Sequence, residues 1–419
     1  MKTLTVSAAR HPLAATAALL LASLVAAAAA PAQTPPAPAA PPPAASLALD
    51  SISAGADHAC GLTSQHVAWC WGNNAAGQLG NPAVTAACVG ASDPCSDKPV
   101  RVATSLLFAS ISAGDGYTCA VTIAGAAYCW GDNTYGQLGT GSQQAAARPT
   151  RVVAEGVAFR AISAADTHTC AVATTGVAYC WGSNDGGKLG IGRSGGGSTV
   201  PVAVVGRLLF RSVTAGYFHT CGVTRAGRAY CWGRDDDGQA GDQPAAGSTT
   251  PVAVASDTAF AGVEAAAQFD YTCGVDAGGG IWCWGANCYN QLGVDSLAEQ
   301  CGTPPMPCSS KPARLRAAGP FRTVSVHFSH SCAVATDGAA FCWGDDNNGQ
   351  LGIGTMGDRS VTPAPVVGGQ TWRALAVGHE FTCGITAAGA TSCWGANDHG
   401  QLGIGAGGLR MQPTPLAAP

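Results

Sequence analysis

The sequence predicts an all-β fold, a seven-bladed β-propeller of four-stranded blades. Three observations carry that prediction. The pattern Cys, nine residues, Cys-Trp-Gly occurs seven times. Its cysteines are Cys60 and Cys70, Cys119 and Cys129, Cys170 and Cys180, Cys221 and Cys231, Cys273 and Cys283, Cys332 and Cys342, and Cys383 and Cys393. Successive first cysteines lie 51, 52 or 59 residues apart, the period of a repeat architecture rather than of separate domains. Within each copy, short alternating apolar stretches are punctuated by glycine-containing turns, the signature of strands and hairpins.

The segments before the repeats read differently. Lys2 and Arg10 precede an apolar, alanine-rich run from Leu13 to Ala30, and Ala30-Pro31-Ala32 offers a small-residue cleavage site. Residues 1–32 are therefore expected to be a secretory signal peptide rather than a retained anchor. Residues 33–46 are Pro/Ala-rich and read as a linker without a core. Residues 47–419 are expected to be the propeller, located outside the cytoplasm, with no membrane span once the signal is cleaved.

The cysteine hairpin can be placed in register from its turn. In Cys332-AVATDGAAF-Cys342 the turn centres on Asp337, with Gly338 in the left-handed position. Cys332 then lies directly across from Cys342, and the next pair toward the turn is Ala333 opposite Phe341. The same pair elsewhere sets a small residue against a large one in all but the last copy, as Gly61 against Trp69 or Ala171 against Tyr179. This register predicts seven cross-strand disulfides. Zinc is the weaker reading, because each hairpin supplies two ligands and not four. The copies with 59-residue spacing carry matching insertions, in which Cys88 and Cys95, and Cys301 and Cys308, are expected to pair. Of the 19 cysteines, Cys288 is left over.

Proline-led strands begin at Pro99, Pro149, Pro201, Pro251, Pro312, Pro363 and Pro413. Read as the leading strand of each copy, they leave the first copy incomplete. Pro413 to Ala417 is then expected to complete the blade begun by the N-terminal copy, so that the two ends of the chain share one blade.

The run TAGYFHTCGVTRAGRAYCWG with its downstream GQAG, or GQLG in other copies, resembles the regulator of chromosome condensation repeat family over residues 47–419. The resemblance implies a seven-bladed propeller. It says less about activity, since function lives in sites placed on folds. Founding nuclear members exchange nucleotide on a small GTPase and sit on chromatin. Secreted bacterial relatives, a β-lactamase inhibitory propeller among them, bind a protein partner through loops on one face. The export segment, the paired cysteines and the lack of a basic tail favour the second precedent. A guanine-nucleotide exchange factor by family analogy, or a structural envelope protein, are the alternatives.

Composition limits the partner. The formal net charge is −4 and only 11% of residues are charged, which argues against nucleic acid held by electrostatics. No Ser/His/Asp order, phosphate loop or cofactor fingerprint is present, so neither enzyme nor cofactor is expected. The histidines two residues before a first cysteine, His58, His168, His219 and His330, interchange with Tyr117, Tyr271 and Phe381, which suits packing better than metal binding. The spacing of Asp235, Asp236 and Asp237 fits no calcium-loop template.

Binding residues are sought where the repeat breaks. The loops flanking each hairpin at its Trp-Gly end contribute 28 variable positions, of which nine are Asp or Glu, six are Phe or Tyr, and none is Lys or Arg. Turn chemistry accounts for part of the acidity. It does not account for aromatics in adjacent loops. The expected binding set is Tyr135, Tyr217, Phe218, Asp236, Asp237, Phe269, Asp270, Tyr289, Phe328, Glu380 and His399. Their expected partner is a protein or cell-surface ligand with a basic contact surface, met by a monomeric propeller.

Overall fold

The computed structural model describes residues 47–243, 247–295, 297–316 and 319–419. The expected signal peptide and the linker lie outside the described residues. No helix among those described is long and apolar enough to cross a membrane.

Seven antiparallel sheets follow one another along the chain, each built from consecutive strands. In the first blade these are Ser51–Ala54, His58–Leu62, Ala68–Asn73 and Cys95–Arg101. Later blades begin at Phe108, Phe159, Phe210, Phe260, Phe321 and Trp372. The fifth carries a short additional strand, Gln300–Cys301, in its insertion. The first strand of every blade lines a central channel, so the proline-led strand is the outermost. Proline belongs there because an edge strand does not need every backbone N–H.

The hairpin register is the one the turn requires. Cys332 faces Cys342 and Ala333 faces Phe341; the first blade repeats this with Cys60 opposite Cys70 and Gly61 opposite Trp69. All seven expected hairpin cystines form. Cys60 is bonded to Cys70, Cys119 to Cys129, Cys170 to Cys180 and Cys221 to Cys231. Cys273 is bonded to Cys283, Cys332 to Cys342 and Cys383 to Cys393. Their Cα atoms are 4.0–4.1 Å apart, the close approach of residues directly opposite each other in an antiparallel pair. Cys88 is bonded to Cys95 and Cys301 to Cys308 across the two insertions, and Cys288 is free.

Ring closure differs from the sequence expectation. The first blade is complete without the C-terminus: Val100, next to Pro99, faces Cys70. The last strand, Arg410–Pro415, pairs with Thr391–Gly395 of the seventh blade, where Thr414 faces Cys393. The two ends therefore share no blade. Each proline-led segment follows its own hairpin as fourth strand; it does not lead the next copy.

Blades are joined by a repeated set of polar contacts around a tryptophan. The carbonyl of the Gln in each Gln-Leu-Gly or Gln-Ala-Gly turn, or of Lys188 in its place, accepts the indole N–H of the next blade's Trp. Examples are Trp130 to Gln78 at 2.9 Å and Trp343 to Gln291 at 2.9 Å. The same carbonyl accepts a hydroxyl from the residue before the next blade's first cysteine, as from Thr118 at 2.9 Å. His58 Nε2 lies 2.8 Å from that Thr118 oxygen. Because the threonine's one hydrogen is already donated, the histidine must donate, which makes it the neutral Nε2–H tautomer. Burial agrees, holding His58 down to about 3. Tyr117 fills the same slot by donating to His168 O at 2.7 Å. The turn packs too closely to admit a larger residue: a Cβ on Gly80, whose φ is +66°, would lie 2.7 Å from the Trp130 indole nitrogen.

Candidate functional site

Because His58 pairs with Gly72 at one end of its hairpin, and its equivalents do likewise, the loops before and after every hairpin emerge on one face of the ring. That face gathers several of the expected residues into two aromatic groups. Phe269 and Tyr289 from the fifth blade meet Phe328 from the sixth, with ring centroids 5.6, 5.6 and 6.0 Å apart. Phe328 also lies edge-on against His379 of the seventh blade at 4.3 Å. All four side chains are partly exposed. The second group is Tyr217 and Phe218, 4.1 Å apart.

Cations reach both groups, and the loop positions alone did not show them. Arg234 lies over the Phe218 ring at 4.5 Å and pairs with Asp236 at 2.8 Å. The Lys188 ammonium lies 5.2 Å from the same ring and donates to Thr167 Oγ1 at 2.7 Å and Tyr217 O at 3.2 Å. Arg359 lies over Tyr289 at 4.8 Å and donates to Cys288 O at 2.8 Å. Lys188 stands where other turns carry Gln, and this departure from the repeat was the available signal. Burial pushes its ammonium down to about 8, against the opposing pull of Asp166.

The acids divide by position. Asp237 is partly buried, and Asp236 accepts the Gly302 N–H at 3.0 Å through its backbone, so the Cys301–Cys308 insertion rests on the preceding blade. Burial and the neighbouring Asp237 push Asp270 up to about 7. On the first three blades, Asp57, Asp115 and Asp166 occupy equivalent loops. Burial raises the Asp57 carboxyl, opposed by His399 and His379. Tyr135 is 48% exposed and joins neither aromatic group. Glu380 contributes its carbonyl to Ala396 N at 2.9 Å, and His399 Nδ1 lies 3.4 Å from Asn73 Nδ2. Neither Tyr135 nor His399 makes a ring contact with the aromatic groups, and Glu380 directly follows His379 in the chain.

Asp166 supplies a pH prediction. Burial, together with a hydrogen bond to Asp115 and that residue's charge, pushes it up to about 7. Between the unfolded carboxylate value near 3.8 and that folded value, the native state holds the extra proton. Stability from this group is present at acid pH and is lost as pH rises toward and through 7. Asp166→Asn should therefore raise the melting temperature at pH 8 and change it little at pH 4. Equal shifts at both values would contradict the assignment.

A family model described as the regulator of chromosome condensation (RCC1) repeat matches residues 66–121, 124–172, 175–223, 278–334 and 337–385. A second model of the same description matches 50–78, 108–137, 159–188, 210–239 and 322–350. The ultraviolet-B receptor UVR8 of Arabidopsis thaliana is 28% identical over 364 residues, 84% of this chain and 78% of the receptor. Human WBSCR16 superposes with a TM-score of 0.72 at 20% identity, covering 83% of this chain and 92% of that one. Prp20p from Saccharomyces cerevisiae, whose structure was described with its binding properties to Gsp1p and histones, superposes with a TM-score of 0.71 at 18% identity, covering 85% and 87%.

Proposed function

The chain belongs to the regulator of chromosome condensation (RCC1) repeat family, and from that premise we propose that it is an exported binding module. It contacts a protein or cell-surface ligand through the loop face that carries the two aromatic groups. The observation that supports this most is the contact of Phe269, Tyr289, Phe328 and His379 across three consecutive blades while each stays partly exposed. Partly exposed aromatics with a polar, charged rim make the kind of anchor that carries most of the energy in protein interfaces. The arginines stacked on Phe218 and Tyr289 hold those rings in place, which lowers the ordering cost of binding.

The acids of the first three blades favour a basic partner surface and disfavour nucleic acid. Nine cystines suit an oxidising, extracytoplasmic compartment. Within the family's range of roles, a non-catalytic propeller acting as a monomer accounts for a face built from aromatics and carboxylates. A nucleotide-exchange role would need a cytosolic GTPase, which an exported, cystine-rich chain would not meet.

The test is recovery of partners from an extracytoplasmic extract with wild type and with the Phe218→Ala, Phe269→Ala double variant. Each truncation is expected to weaken binding about tenfold or more, the effect of an interface anchor. Equal recovery of every partner by two folded proteins would overturn the binding face.

A further inference from the structure

The central channel holds groups that the loop face does not use. One position on the innermost strand, opposite the first cysteine of the hairpin, is hydroxylated in five blades: Ser53, Ser112, Ser163, Thr214 and Ser325. Each of these oxygens accepts a backbone N–H from the next blade, as Ser112 does from Ala164 at 2.9 Å and Thr214 from Ala265 at 3.1 Å. The fifth blade breaks the series with Glu264, opposite Cys273. Among the described residues the Glu264 carboxylate has neither a hydrogen-bond partner nor an ion pair. Its side chain is open to the channel, yet the ring encloses it on all sides. That enclosure pushes its carboxyl up to about 7, as for an acid without a counter-charge.

A second break lies nearby in the sequence of the sixth blade. Where other blades have Gly55, Gly114, Ala165, Gly216, Ala266 or Gly378, this one has His327. It lines the channel, is 3% exposed, and neither ring nitrogen has a partner. Both nitrogens are closed off from the channel space, so this ring shapes the channel wall and presents no polar atom to it. The cavity, about 660 Å³, lies within the range of small-molecule sites.

We propose that this channel binds a small polyhydroxylated amine, an amino sugar being the simplest example. The Glu264 carboxylate receives the ammonium group. Each Ser or Thr hydroxyl already accepts one bond and retains its own hydrogen, so it donates to a ligand hydroxyl. The arginines lining the channel, Arg211 and Arg322, are exposed and donate to backbone carbonyls. They do not neutralise Glu264.

Calorimetric titration of the oxidised full chain with glucosamine, glucose and N-acetylglucosamine tests the site. Glucosamine should bind saturably and at least tenfold more tightly than the two sugars without an ammonium group. Glu264→Ser, which places the repeat's own hydroxyl at that position, should fold and lose the preference; Glu264→Gln provides the same charge loss with closer shape. The Phe218→Ala, Phe269→Ala variant should bind glucosamine as wild type does, which separates this site from the loop face. Absence of glucosamine binding, equal binding of all three sugars, or an unchanged preference in both Glu264 variants would overturn the proposal. Loss of binding in the loop-face variant would do so as well.

Discussion

Trp71→Ala is expected to cost about 3–5 kcal/mol, the range for truncating a buried aromatic, and to open the ring at one junction. Trp71 is fully buried where the first blade meets the seventh, packed with Leu49, Phe381, Ile385 and Leu402. Its indole donates to Gln401 O at 3.0 Å. The other junctions supplement this contact with hydroxyl and imidazole bonds, but this one has lost three of them. Ala59 stands where Thr118 or Thr220 would donate to the turn carbonyl, Phe381 replaces the His or Tyr, and Ala376 replaces the inner serine. The polar contacts left beside Trp71 include the Gly405 N–H to Asp97 O at 2.7 Å, Arg373 reaching Leu49 O at 2.8 Å, and two long ones at 3.4 Å, His379 N–H to Ala56 O and Asn73 Nδ2 to His399 Nδ1.

Trp232→Ala is the control. There Thr220 still donates to Lys188 O at 2.8 Å, His168 still meets Thr220 at 2.8 Å, and Ser163 still accepts the Ala215 N–H at 3.0 Å. Hydrogen exchange should show lost protection across 51–62 and 381–395 in Trp71→Ala, and a smaller, local change in Trp232→Ala. Matching exchange maps at the two junctions would mean that closure does not depend on Trp71.

The same comparison explains what the sequence could and could not disclose. Cys332, Cys342 and the Asp337-Gly338 turn determine a register, because a one-residue slip would move every side chain to the other face. The phase of the repeat is another matter. In a closed ring every proline-led segment has a hairpin before it and one after it, and periodicity alone does not say which it joins. Only the pairing of Val100 with Cys70 decides that. The aromatics of the loop face were legible as departures from the repeat. Arg234 was not, because it reaches Phe218 from a strand end outside the variable loop positions, and Lys188, itself a departure from the repeat, lies in the turn and not among those positions. Glu264 and His327 were missed for a similar reason: they break the repeat on the inner strand and just beyond it, where no loop variation draws attention.

Complete reduction is expected to unfold the propeller at 25 °C. Each hairpin cystine spans a sequence separation of 10, and the chain-entropy argument assigns about 2–3 kcal/mol to a loop of that size. Seven together reach on the order of 15–20 kcal/mol, more than the roughly 5–15 kcal/mol of net stability typical of a folded domain. Even if neighbouring contributions overlap, the low-charge core alone would be left near the threshold. The order of reduction follows from burial. All fourteen hairpin cysteines are fully buried, whereas Cys88 and Cys301 are partly exposed. In mild reductant without denaturant, Cys88–Cys95 and Cys301–Cys308 should be the first cystines opened and alkylated, after the free Cys288, while circular dichroism stays unchanged. That step frees the two insertions that rest on the Asp236 and His399 loops of the preceding blades. The hairpin cysteines should then become reactive together with the loss of β-structure, because a reductant reaches them only when blades separate. Early alkylation of Cys129, Cys170 or Cys231 in a folded protein would show that single hairpins open by themselves. Full reduction with an unchanged spectrum would show that the inter-blade tryptophan contacts hold the ring without the cystines.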